Sequence, residues 1–72
     1  MKYRFKPMLD YRGHSVRTKI QVTRDAALLQ LGIAMGKYGD DITYAAVHRI
    51  DETGNDCGPA VTFIYREPVS AG

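Results

Sequence analysis

The sequence predicts a two-layer α+β domain of order ββαββ: a four-stranded antiparallel sheet, strand order 2-1-3-4, with one helix on one face. Three features lead there. Residues 3–12 and 16–22 alternate apolar and polar side chains with the period of a half-buried strand. A stripe at helical spacing runs from Ala27 to Tyr38. Two further strand-like stretches, 42–50 and 60–66, flank a connection rich in turn residues.

In the first stretch Tyr3, Phe5, Leu9 and Tyr11 fall on odd positions, and Lys2, Arg4, Lys6, Asp10 and Arg12 on even ones. Pro7 lacks a backbone donor and marks an edge, a bulge or a break. Gly13-His14 reads as a two-residue turn with glycine first, as a type II′ hairpin prefers. A turn there pairs Tyr11 with Val16, Leu9 with Thr18 and Phe5 with Val22, all on one face. Asp10 then sits opposite Arg17 on the other face, as a favourable cross-strand pair. Phe5, Val22 and Leu31 are therefore expected in the core.

Thr23 is placed to cap the free amides of the helix, and Asp25 suits its positive end. Lys37 suits the last turn, and Gly39 offers a stop. Ala27, Leu28, Leu31, Ala34, Met35 and Tyr38 form the stripe that covers the sheet. In the third stretch Ile42, Tyr44, Ala46 and Ile50 share a phase with His48. In the fourth, Val61, Phe63 and Tyr65 oppose Ile64. The faces of these two strands stay open. The helix reverses the chain, so the third strand runs antiparallel beside the first, and every neighbour in the order 2-1-3-4 is antiparallel.

A chain of 72 residues holds one domain, 1–72, and 44% apolar residues suffice for a core. No repeat, low-complexity tract or linker interrupts it. No apolar run approaches the roughly 20 residues that span a bilayer. The start, Met1 to Lys6, interleaves charge with aromatics, unlike a signal peptide. One cysteine, Cys57, fits a reducing compartment. The expected setting is cytoplasmic, without membrane association.

The formal charge of +2 conceals a division, with +6 on residues 1–24 and −4 on residues 25–72. No glycine-rich phosphate loop, GxSxG, HExxH or CxxC occurs. Cys57, His14 and His48 are too few and too scattered for a structural zinc site, and their spacing gives no nucleophile with a base. The acidic turn Asp51 to Asp56 lacks the spacing and distal glutamate of a calcium loop. The expectation is a non-enzymatic chain without metal or cofactor; the competing enzymatic reading rests on Cys57 or a histidine.

Two surfaces stand out for binding. The hairpin register above puts Lys2, Arg4, Lys6, Arg17 and Lys19 on the sheet face away from the helix, a stripe suited to phosphates or an acidic protein groove. Tyr3, Phe5 and Tyr11 point inward in that register, so no stacking platform for bases accompanies the stripe. The second surface is Leu29, Gly32, Ile33 and Gly36, on the helix side away from the core. Glycine costs about 1 kcal/mol per helical position, and two of them beside apolar side chains suit close approach of another backbone, from a target or a second copy forming a homodimer.

The ββαββ order, small size and lack of catalytic motifs resemble small phage-encoded inhibitor proteins. Among these, type I-F anti-CRISPR proteins are similar in having two N-terminal strands, an alanine- and methionine-containing helix and two more strands. The resemblance implies an inhibitor that binds a protein or ribonucleoprotein target, a CRISPR surveillance complex, and obstructs its nucleic-acid or partner surfaces. It rests on element order and carries over no site residue. The rival reading is a small nucleic-acid-binding domain that uses the basic N-terminal hairpin directly.

Overall fold

The computed structural model describes residues 2–66, so the ends of the expected 1–72 domain lie outside the described residues. Its elements are β1 (Arg4–Tyr11), β2 (His14–Ser15), α1 (Arg24–Tyr38), a 3-10 turn (Gly39–Asp41), β3 (Ile42–Ile50) and β4 (Asp56–Tyr65). The sheet is antiparallel throughout, in the order β2-β1-β3-β4, with α1 packed on β1 and β3. This is the predicted two-layer α+β arrangement.

The helix follows its local signals. Thr23 is the N-cap, its hydroxyl accepting from the Ala26 amide at 3.2 Å; Asp25 lies in the first turn and Lys37 in the last. At Gly39 the amide donates back to the Met35 carbonyl and the helix ends. Ala27 and Leu31 are fully buried, forming the core with Leu9, Ile42, Ala45 and Val47. Tyr11 stacks on Tyr38 with ring centroids 4.3 Å apart.

The first hairpin departs from expectation. Its turn is Arg12-Gly13, with φ of 48° and 79°, so both central residues take the left-handed values of a type I′ turn. Tyr11 pairs with His14 and Asp10 with Ser15, two residues short of the predicted register. Arg17 is therefore not opposite Asp10. The slip is even, so Tyr11 and Leu9 still face inward, and the Val16 amide donates to the Leu9 carbonyl at 2.8 Å.

Beyond Ser15 the regular strand expected over 16–22 does not form. Phe5 and Leu9 direct their backbone groups toward this segment, and Pro7, two residues from each, does the same. Proline has no amide to give, so the ladder breaks opposite it. The Thr18 hydroxyl donates to the Pro7 carbonyl instead. Pairing resumes at a Phe5–Gln21 bridge. From Leu9 to Phe5 is four residues, but from Val16 to Gln21 is five, which reverses the faces. Val22, expected in the core, is consequently 78% exposed. Leu31 is buried as expected, and Phe5 is half-buried against the core.

The central strand β3 explains the missing alternation in its sequence. Ala45 and Val47 are buried toward α1, while Ala46 and Ile50, on the opposite face, are buried as well. Strand β4 begins four residues before the predicted start and is bulged three times. Each bulge inserts a residue and flips the faces, and with Pro59 it leaves an irregular edge unsuited to pairing with another sheet.

Candidate binding surfaces

The predicted basic stripe divides when folded. Arg4 and Lys6 lie on the open sheet face, alternating with the core-facing Phe5 and Pro7. Lys2 precedes β1, and its amide donates to Glu52 Oε1 at 3.3 Å. Arg17 shares a shallow depression at the sheet edge with Lys6. Lys19, also expected on the open face, leaves it. With Arg17 and Lys37 it lines a groove of about 580 Å³ between the 16–21 segment and α1, whose lining includes Gln30, Ile33 and Tyr38 and no carboxylate. The correction follows from Pro7 and the hairpin turn, which together remove Arg17 and Lys19 from a regular strand.

The helix surface lies beside that groove. Leu29 is 64% and Ile33 61% exposed, and a β-carbon built at Gly32 or Gly36 would meet nothing within 4 Å. Two apolar side chains and an open backbone thus border three cations.

The open sheet face carries groups that sequence reasoning missed. One residue from each strand, Ser15, Asp10, Tyr44 and Tyr65, forms a continuous row across the sheet in direct register. From Tyr44 a polar chain runs along β3 and over to β4. The Tyr44 hydroxyl lies 2.6 Å from His48 Nε2, and His48 Nδ1 lies 2.8 Å from Asp56 Oδ2. With Nδ1–H donating to the carboxylate, Nε2 accepts the tyrosine hydroxyl. Asp56 Oδ1 also accepts the Gly58 amide at 2.8 Å. Partial burial raises the Asp56 carboxyl, but the Gly58 amide and the His48 ring outweigh it and hold the group below its ordinary range. Burial, followed by the nearby Asp56 and Asp10 charges, pushes the Tyr44 phenol up. The chain thus ties the Tyr44 hydroxyl to His48 and the His48 ring to Asp56.

The Tyr44–His48 spacing of four was legible as one face of a strand. The partners Asp56 and Tyr65 were not, because the bulges of β4 hide their register. These rings also place aromatics on the open face, where the N-terminal hairpin supplies none.

Compared with family models, curated proteins and solved structures, the chain finds no match. Among the described residues no helix is long and apolar enough to cross a membrane. Cys57 is exposed, with its thiol 3.7 Å from the Asn55 carbonyl, and joins neither surface.

Proposed function

We propose that the chain is a non-enzymatic binding protein, an inhibitor from a phage or mobile element, that docks on an acidic surface of a protein or ribonucleoprotein. The observation that carries this reading is the groove between the 16–21 segment and α1. It presents Arg17, Lys19 and Lys37 with no opposing carboxylate, beside the exposed Leu29 and Ile33. Cations steer the encounter and set orientation, and the apolar pair supplies burial once docked. The likeness in element order makes a type I-F CRISPR surveillance complex the first target to test. Its nucleic-acid surfaces are a natural object of obstruction.

Direct nucleic-acid binding through the basic hairpin is less well supported. Of the predicted stripe Arg4 and Lys6 lie on the open face with Arg17 at its edge, and Asp10 and Asp56 share that face. The discriminating experiment adds purified protein to an assembled type I-F surveillance complex and measures binding of its target DNA by mobility shift. The proposal expects DNA binding to fall as protein is added, with no retention of the protein on DNA or RNA alone. Unchanged DNA binding would remove this target. Salt-dependent binding to free nucleic acid would favour the rival reading.

A further inference from the structure

We propose that the groove beside α1 takes an extended acidic peptide segment of its partner, which adds to the free edge of the 16–21 segment as a further strand. The inference rests on the reading of this groove as the docking surface, and it names the element that the groove receives.

The 16–21 segment borders β1 at the sheet edge opposite β4. From Val16 to Gln21 it runs beside β1 from Leu9 to Phe5, five residue steps against four. That is about 2.7 Å per step, close to the rise of about 3.3 Å in an extended strand. Its inner side is occupied. The Val16 amide donates to Leu9, the Thr18 hydroxyl donates to Pro7, and Gln21 exchanges two bonds with Phe5. In a stretched chain successive backbone groups point to opposite sides, which turns those of Arg17 and Lys19 outward. Among the described residues the Arg17 amide and carbonyl and the Lys19 amide have no hydrogen-bond partner. The Lys19 carbonyl takes only the nearby Gln21 side chain, at 3.3 Å. A row of unpaired backbone groups is the template on which another strand adds.

Charge selects the strand. Arg17 and Lys19 on the edge and Lys37 across the groove stand with no carboxylate among the lining residues. Like charges disfavour pairing of this edge with the same edge of a second copy, and opposite charges favour an acidic chain. A phosphodiester backbone would satisfy the cations and the amides, but it has no N–H donor for the Arg17 carbonyl. A peptide supplies a donor and an acceptor at each residue. Its groove-facing side chains meet Lys37 and the exposed Ile33.

The test titrates the isotopically labelled full chain with a capped eight-residue peptide of alternating glutamate and threonine, followed by amide NMR. Two further copies of the peptide carry backbone N-methyl groups, one on its glutamates and the other on its threonines. Charge is unchanged in both, and only one of the two phases can face the edge. Saturable shifts at residues 16–20 and slowed solvent exchange of the Arg17 and Lys19 amides are expected. One methylated copy should bind at least about tenfold more weakly, and the other about as well as the parent peptide. Arg17→Gln with Lys19→Gln should weaken binding too, and an eight-residue oligothymidylate should leave both amides in fast exchange. Equal binding of all three peptides would overturn strand addition while leaving the groove as an acidic docking surface. Absent shifts at 16–20, or protection of the same amides by the oligothymidylate, would also overturn it. The groove reading itself is tested apart, by the affinity of a charge-reversed variant for the surveillance complex.

Discussion

Leu31 and Val22 are both aliphatic and both fit an inward-facing pattern, yet one is 1% and the other 78% exposed. Leu31→Ala should cost about 2–5 kcal/mol in denaturant unfolding, because it empties a packed site between helix and sheet. Val22→Ala should stay within about 0.5 kcal/mol. With total stability of about 4–11 kcal/mol for a chain of this size, the first change threatens folding and the second does not. Glycines divide in the same way. Gly32 sits in α1 with open space around it, so Gly32→Ala should stabilise by about 0.5–1 kcal/mol. Gly58 sits in bulged β4 at φ 91°, where a β-carbon is strained, so Gly58→Ala should cost about 1–3 kcal/mol. Thermal unfolding of the two variants side by side checks both signs.

Among the elements, the β3–β4 hairpin carries the pH dependence. Asp51 Oδ1 accepts the Thr53 hydroxyl at 2.7 Å and the Thr53 and Asn55 amides at 2.9 Å, and these bonds, the Thr53 side chain foremost, lower its carboxyl below the ordinary 3.8. Asp56 is lowered too. A carboxyl with a depressed folded value contributes stability above its unfolded value and loses it as pH falls through the folded one. Tyr44 is raised above its ordinary 10.0, so its contribution is complete below that value and lost as pH rises through the folded one. Stability should therefore decline below about pH 4 and above about pH 10. Asp51→Asn and Asp56→Asn should flatten the acid limb in a pH series of unfolding midpoints. An unchanged acid limb in the double variant would contradict these roles.

What could be read from the sequence follows how local each element's determinants are. The helix was legible from Thr23 to Gly39 because its caps and stripe are local. β1 and β3 were legible as segments, but Pro7 was expected to mark an edge, bulge or break in its own strand, whereas β1 runs unbroken from Arg4 to Tyr11 and the break falls in the segment opposite it. The turn was misplaced by one residue because nothing local marks Arg12 for a left-handed conformation. The row of Ser15, Asp10, Tyr44 and Tyr65 was hidden because it depends on three strand registers at once, one of them bulged. The groove was hidden because Lys19 and Lys37 meet only when the 16–21 segment leaves the sheet and lies against the helix.

At the scale of the molecule, the sheet separates two chemically different faces in a body of 44 × 25 × 18 Å. The helix side offers cations and apolar side chains; the open side offers tyrosines, a histidine and carboxylates beside Arg4 and Lys6. The exposed α1 surface also suits a second copy across a two-fold axis, and we expect a weak dimer at high micromolar concentration that Gly32→Arg disperses. Sedimentation as a strict monomer would leave the patch to the target alone. We expect the α1 groove, and not the open face, to engage the target. The direct measurement is the affinity for the surveillance complex of the wild type and of two charge-reversed variants. One is Arg17→Glu with Lys19→Glu and Lys37→Glu, the other Arg4→Glu with Lys6→Glu, each checked for unchanged circular dichroism. A loss of at least about tenfold is expected for the first and little change for the second. A folded groove variant that binds as well as the wild type, beside an open-face variant that does not, would contradict it.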